Sequence, residues 1–144
     1  MKQKLILVGN AVVYKKVKDK PVWFIAKVKE DSDWELPKTN ARRGESSVRA
    51  VIRMMGEQAA MNVKVLEEVG RSNGAALVGG NTIPERRIFY LMYCKEANEV
   101  LSFLDYDWVD VAKGVRKLKS KKDIAMLKAA RDLLKELDKK KKKK

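Results

Sequence analysis

The segment WELPKTNARRGESSVRAVIRMMGEQAAM, residues 34–61, has three parts that differ in local character. Its first residues favour an extended chain, because Pro37 disfavours the helical conformation at the residue before it. Residues 38–44 are polar and predict a loop. The serines after Glu45 can cap the free amides of a helix, and apolar residues then recur at helical spacing to about Met61. The segment therefore predicts an extended piece, a polar loop and a helix.

Strands are predicted on both sides of this segment. Runs of Leu, Ile, Val and aromatic residues indicate strands at residues 4–15, 22–28, 63–69, 86–94 and 106–111. The first two lie close enough along the chain to form a hairpin. Residues 71–81 are rich in glycine and predict a loop or wide turn.

The C-terminal part of the chain predicts a second helix followed by a tail. The helix begins at Ser120, which resembles the first residue of a capping box, and Ile124, Leu127 and Leu134 continue it at helical spacing. Strands followed by a middle helix and a final helix predict an α+β domain at residues 1–138. The oligolysine at residues 139–144 has nothing to bury and is predicted to be disordered.

The composition excludes several kinds of chemistry. The chain has 144 residues, with one cysteine and no histidine, so Ser-His catalysis, Cys-His catalysis and an internal disulfide are excluded. Any metal would be a hard cation held by oxygen atoms. No apolar run approaches the roughly 20 residues that span a bilayer, which predicts a cytoplasmic protein without a membrane segment. The net charge of +14 favours polyanionic partners such as nucleotides and nucleic acids.

Several residues of the 34–61 segment follow the spacing of the Nudix box. That box reads G, five residues, E, seven residues, R-E-U, one residue, E-E, one residue, G-U, where U is a bulky aliphatic residue. Glu45, Arg53 and Glu57 fall in register with its first glutamate, its arginine and one of its paired glutamates. With the strands before it and Trp108-Val109-Asp110-Val111 after it, the chain resembles the diadenosine-tetraphosphate-hydrolase-like branch of the Nudix superfamily. The resemblance implies a mixed sheet sandwiched between helices.

The resemblance weakens at positions that carry the chemistry. Thr39 and Ala60 stand where glycines are expected, Met54 replaces a glutamate, and Gln58 replaces the second glutamate of the pair. The enzymes hydrolyse nucleoside diphosphates linked to another group and use Mg2+, which needs several oxygen ligands. A thioether does not bind Mg2+. Weak or absent Mg2+ binding and weak or lost pyrophosphohydrolase activity are therefore expected.

The resemblance also suggests roles for individual residues. Arg53 and Glu57 would be the catalytic pair, with the arginine orienting the glutamate four residues later. Metal ligands would come from Glu57, the Gln58 amide and the Thr39 carbonyl, and substrate contacts from Trp34, Lys38 and Glu45. Each assignment has a structural alternative. Arg53 and Glu57 can form an ordinary ion pair, and aromatic residues usually pack in the core. Asp105 has two possible roles: it supplies a further metal ligand, or it is an exposed loop aspartate without a function in the site.

Three functions follow as hypotheses. The first is a protein that binds nucleotide-like small molecules such as nucleoside polyphosphates, with little or no hydrolysis. The second is a non-catalytic module that binds RNA or a ribonucleoprotein non-specifically, through the basic residues between Lys113 and Lys122 and the lysine tail. The third is a working hydrolase that recruits carboxylates from elsewhere, such as Glu45 or Asp105.

Overall fold

The protein has two runs of three strands, the first followed by one helix and the second by two, which is the order expected for an α+β domain. The structure, a computed structural model, describes residues 5–97, 103 and 105–142. In these residues the strands are β1 (Ile6–Val17), β2 (Lys20–Lys27), β3 (Lys38–Asn40), β4 (Met61–Val78), β5 (Asn81–Ala97) and β6 (Asp105–Val109). The helices are α1 (Ser47–Glu57), α2 (Val111–Lys117) and α3 (Lys121–Lys142). The predicted fold class is confirmed.

All strands of the described residues join one mixed sheet. Five of them follow the order β4-β5-β1-β2-β6, and β3 also pairs with β1. β1 lies parallel to β5, while its first half pairs antiparallel with β3 and its second half with β2. The predicted β1–β2 hairpin is therefore confirmed. Because β1 contacts three other strands, it positions the residues on both faces of the domain.

The core has two halves, one on each face of the sheet. Successive side chains of a strand point to opposite faces. Ala11 and Val13 of β1 accordingly pack with Val51 and Met54 of α1. Val12 and Tyr14 pack on the other face, in the cluster that contains Leu127 and Leu134 of α3. The helices thus cover both faces, which confirms the sandwich.

The prediction of a loop at residues 71–81 is wrong. β4 and β5 pair along this whole stretch, to the pair Val78↔Asn81. Only Gly79 and Gly80 form the turn, with φ of 56° and 81°, a combination that suits the tight turns of twisted hairpins. The backbone ladder between the strands outweighs the weak strand propensity of the small and polar residues before the turn.

Helix boundaries also differ from the predictions. α1 ends at Glu57 and Ala60 adopts φ of 50°, so the chain turns into β4 at Met61. α2 was not predicted because its short lysine-rich sequence carries little apolar periodicity. α3 continues through Lys142, whereas disorder was predicted from residue 139. Lysine has good helix propensity, and extending an existing helix is favourable. No helix in the described part of the chain is both long and apolar enough to cross a membrane.

Candidate functional site

The loop before α1 is held by short-range hydrogen bonds. Ser46 caps the helix, as predicted, by accepting a hydrogen bond from the amide of Arg49 at 3.3 Å. Glu45 accepts one from the amide of Arg42 at 2.9 Å. These contacts place the carboxylate of Glu45 beside the first turns of α1.

Arg53 pairs with Glu45, whereas the sequence predicts that it acts on Glu57. Its Nε and Nη2 atoms donate to the two carboxylate oxygens of Glu45 at 2.9 and 3.0 Å. The two side chains are only 16% and 17% exposed. These hydrogen bonds, with that from Arg42, lower the pKa of Glu45 to about 2. A carboxylate engaged in this way is poorly suited to be recruited as a metal ligand, because the guanidinium already occupies both of its oxygens.

The C-terminal end of α1 lacks a cluster of oxygen ligands. Met54 is fully buried in the core, whereas Glu57 and Gln58 are exposed. Among the described residues, no three Asp, Glu, His or Cys side chains lie close enough together to hold a metal ion. The donors present do not fit a magnesium site built from several carboxylates. Of Met54, Glu57 and Gln58, only Glu57 supplies a charged oxygen. Ala60 nevertheless has the positive φ that favours the glycine expected there.

The remaining predicted site residues lie around β3 and β6. Thr39 pairs with Gly9 in the sheet, and Lys38 lies 3.7 Å from the carboxylate of Glu35. Trp34 is half-buried, and the amine of Lys117 lies 4.1 Å from its ring centre. Asp105 is exposed at the start of β6. Trp34, on the connection between β2 and β3, and Lys38, the first residue of β3, thus lie in the same region, whereas Asp105 is at the start of β6.

A cavity of about 240 Å³ separates this connection from the N-terminal end of α3. Asn10 of β1 is 2% exposed, and its Oδ1 atom has no hydrogen-bond partner among the described residues. Lys38, Arg87 and Lys119 supply positive charge around the cavity. Its lining also includes Asp33, Trp34, Glu35, Ser120 and Asp123. The arrangement combines a buried amide with charged groups of both signs.

Two carboxyl groups that line the cavity, those of Asp123 and Glu35, are partly shielded from solvent. Burial raises the pKa of Asp123, although this side chain accepts a hydrogen bond from the amide of Leu36 at 3.1 Å. Burial also raises the pKa of Glu35, with a smaller opposing effect from Lys38. Titratable groups desolvated in a cleft are frequent at ligand sites. The cavity is therefore the best-formed candidate ligand site near Trp34 and Lys38.

Sequence reasoning found Trp34 and Lys38 but missed Asn10, Arg87 and Asp123 as cavity residues. Asn10 left a signal, because it is a polar residue inside an otherwise apolar strand. A buried amide needs a partner, so such an interruption indicates either a structural hydrogen bond or a ligand contact. Asp123 gives no such signal in the sequence, because acidic residues are common in the first turn of a helix for reasons unrelated to ligand binding.

Comparison with known proteins identifies the fold. No family model and no curated protein matches the sequence. The Ap4A hydrolase of C. elegans in a binary complex superposes with a TM-score of 0.73 over 90% of this chain and 97% of that chain, at 15% identity. The Nudix domain of Shewanella oneidensis NrtR, complexed with ADP ribose, gives 0.67 over 92% and 90%, at 15% identity. The E. coli dihydroneopterin triphosphate pyrophosphohydrolase gives 0.67 over 84% and 91%, at 11% identity.

The chain therefore has the fold of the Nudix hydrolases, as predicted. Within that fold it is similar to an Ap4A hydrolase over nearly the full length of both chains. Fold does not establish chemistry, which depends on the residues of the site.

The Glu45–Arg53 pair predicts an acid-sensitive contribution to stability. The pKa of Glu45 in the folded protein, about 2, lies below its ordinary value of 4.5, so the carboxylate stabilises the fold fully above pH 4.5. This contribution is lost as the pH falls towards 2. Glu45→Gln should lower the midpoint of thermal unfolding at pH 7, and the difference from the unmodified protein should shrink between pH 4.5 and pH 3.

An exposed pair of the same geometry provides the control. Arg71 donates to Glu68 at 2.9 and 3.0 Å, and these side chains are 57% and 39% exposed. Because water screens exposed pairs, Glu68→Gln should change the midpoint less than Glu45→Gln. Equal changes would show that the lower exposure of the Glu45–Arg53 pair adds no stability, and no pH dependence in the Glu45 comparison would show that its hydrogen bonds do not stabilise the fold.

Proposed function

We propose that this chain binds a nucleotide-like small molecule, of the nucleoside-polyphosphate kind, in the cavity at the N-terminal end of α3. The observation that carries the proposal is Asn10, a fully buried amide whose Oδ1 atom has no protein partner among the described residues. An amide carries both a donor and an acceptor, which matches the edge of a heterocyclic base. Lys119 lies at the same cavity and supplies a cation for phosphate groups, whereas Arg87, which also lines it, is paired with Glu85 at 2.8 Å.

The size of the cavity limits which part of the ligand it can hold. Its volume of about 240 Å³ lies below the roughly 300–1,000 Å³ typical of pockets for drug-sized ligands. It therefore suits one part of a nucleotide, the base or the sugar, with the phosphates extending towards exposed lysines. Lys38 and Lys119 are both exposed and meet this requirement. The neighbours in the fold support the same ligand class, since one of them is an Ap4A hydrolase and another is complexed with ADP ribose.

We further propose that pyrophosphohydrolase activity is weak or lost. The support is the set of residues on and beside α1: Met54 in the helix is buried, Gln58 just after it is neutral, and Glu45 just before it is engaged by Arg53. Glu57 keeps the position of one metal ligand, and Thr39 offers at most a neutral carbonyl. Arg53 then stabilises the loop before α1 and does not orient Glu57 for catalysis. The third hypothesis, recruitment of Glu45 or Asp105, has less support because Glu45 is paired and Asp105 lies at the start of β6.

Calorimetry with the full chain tests the binding proposal. Diadenosine tetraphosphate, ATP and ADP ribose are titrated in EDTA and in Mg2+, with product release measured in parallel. Binding is expected in both conditions, with little or no product. Lys119→Gln should weaken affinity roughly fivefold, because an exposed charge-assisted contact contributes on the order of 1 kcal/mol.

Lys122→Gln is the matched control, because it removes the same charge from α3 but does not line the cavity. Equal weakening by both substitutions, or no binding of any of the three ligands, would contradict the proposed site. Magnesium-dependent turnover that disappears in Glu57→Gln would contradict the proposed loss of activity.

A non-specific nucleic-acid module is the second candidate function, and the net charge of +14 supports it. The basic residues between Lys113 and Lys122 are less available than their number suggests. Lys113 and Lys117 both form ion pairs with Asp107, at 3.4 and 3.3 Å. Lys117 also covers Trp34. These contacts reduce the positive charge that this cluster can offer to phosphates.

A further inference from the structure

We propose that the chain has a second ligand site, for the phosphate and ring of a nucleotide, in a groove at the other end of α3. One wall is the sheet face formed by β1, β5 and β4, and the other is the last part of α3. We call it the tyrosine–lysine groove. It is separate from the cavity that contains Asn10, with which it shares no lining residue.

Strand register creates the floor of the groove. Tyr14 of β1 lies opposite Tyr93 of β5, which in turn lies opposite Lys64 of β4. Residues two apart on a strand share a face, so Lys16 follows Tyr14 and Lys95 follows Tyr93 into the groove. Three neighbouring strands thus place aromatic and cationic side chains in two adjacent rows. The rings of Tyr14 and Tyr93 are 5.4 Å apart.

The end of α3 supplies the second wall. Leu134 and Leu137 belong to the core cluster on this face, and Asp138, Lys140 and Lys141 follow in the last turns. Two adjoining depressions of about 260 and 350 Å³ result, and they share Tyr14, Lys64, Leu66, Asp138 and Lys141. The side nearest the leucines is apolar and the opposite side carries the lysines.

Charge in the groove is strongly unbalanced. Lys16, Lys64, Lys95, Lys140 and Lys141 line it, whereas Asp138 is the only carboxylate among its described lining residues. Asp138 is 3.6 Å from Lys16. The other four lysines form no ion pair with any described residue. Like charges gathered in this way repel one another, and binding an anion relieves that repulsion.

The combination of groups selects the ligand chemistry. Lysines at the rim bind phosphate, and the half-buried ring of Tyr93 beside the leucines accepts a flat ring. Burial raises the pKa of Tyr14 to about 12. Its hydroxyl, protonated like that of any tyrosine at neutral pH, can donate a hydrogen bond. A nucleotide carries both the phosphate and the ring. It can arrive as a free nucleotide or as part of a single-stranded nucleic acid, which an open groove also admits.

Fluorescence anisotropy tests the groove in the full chain. The probes are a labelled single-stranded RNA of about 12 nucleotides, within the range covered by one single-strand binding domain, and a fluorescent ADP. The groove variant is Lys64→Gln with Lys95→Gln. The control is Lys128→Gln with Lys135→Gln, which removes the same charge from exposed positions of α3 outside the groove.

The groove variant is expected to weaken binding about tenfold or more, and the control less than about twofold. For the RNA, loss of two phosphate contacts should reduce the slope of log K against log salt by about 1.4, since each contributes roughly 0.7. An effect on RNA identifies a strand as the ligand, whereas an effect on ADP alone identifies a free nucleotide. Equal effects of the two variants, or no binding of either probe, would overturn the proposal.

Two further measurements keep the result interpretable. Circular dichroism and thermal unfolding establish that both double variants fold, which is expected because all four lysines are exposed. Lys119→Gln, in the cavity at the other end of α3, should leave RNA binding unchanged and weaken only the ADP binding that belongs to that cavity. A loss in Lys119→Gln but not in the groove variant would overturn the groove while leaving the proposed function intact.

Discussion

Gly9→Ala is expected to lower the free energy of unfolding by about 3 kcal/mol, at the upper end of the cost of overpacking. A Cβ atom on Gly9 would lie 2.2 Å from Cγ2 of Val51 and 2.6 Å from the backbone oxygen of Ser47. The valine is fully buried and the other contact is backbone, so neither group can move without shifting α1. The close approach of β1 and α1 therefore depends on the missing side chain. Equilibrium unfolding in urea measures the change.

A second glycine in the same structural unit provides the matched control. Gly56 lies within α1, and a Cβ atom there would meet nothing within 4 Å. Gly56→Ala should stabilise the protein by roughly 0.5–1 kcal/mol, because alanine has the higher helix propensity. If Gly9→Ala proved as harmless as Gly56→Ala, the packing of α1 on β1 would be looser than these distances indicate.

Met54→Glu is expected to cost about 3 kcal/mol or more, because it places an ionisable group in the apolar core. Met54 is 0% exposed and packs in the cluster that contains Phe24 and Met92. Restoring the glutamate of the Nudix box at this position should therefore destabilise the protein and not recreate a metal site. Burial would raise the pKa of the new carboxyl group, so the destabilisation should grow as the pH rises above about 4.3.

Gln58→Glu is the control for the same box. Gln58 is exposed, so the substitution should change the free energy of unfolding by no more than about 0.5 kcal/mol. Urea unfolding at pH 5 and pH 8, with and without Mg2+, separates the two variants. Unchanged stability of Met54→Glu, with magnesium binding, would show that the core accommodates the carboxylate and that the box can be repaired by one substitution.

The predicted helices and the first hairpin illustrate what local sequence specifies. Ser46 caps α1 because a serine oxygen reaches a free amide within its own turn. β1 and β2 follow each other closely, so little chain entropy opposes their pairing. The β4–β5 hairpin was missed although it is also local, because its glycines and small residues have weak strand propensity. Pairing along both strands overcame that preference.

Candidate site residues were predicted less well than the fold. The register of Glu45, Arg53 and Glu57 in the Nudix box is visible in the sequence, but the partner of Arg53 is not. Both glutamates are within reach of a long arginine side chain, and the loop conformation before α1 brings Glu45 into bidentate contact. The sequence itself shows that positions 54 and 58 carry a methionine and a glutamine and no carboxylate. The burial of Met54 adds a reason why the Met54→Glu substitution should not create a metal site.

By itself, the sequence determined the α+β class, the absence of histidine and of an internal disulfide, the basic charge and which residues occupy the Nudix-like spacing. These depend on composition, on local spacing or on residues within one helix. Only the tertiary structure decided that Asn10 meets Asp123 around one cavity, and that Tyr14, Lys64 and Lys95 line one groove. These residues are far apart in the chain. They meet because strand register and the docking of α3 bring distant segments to the same face of the sheet, which no local pattern encodes.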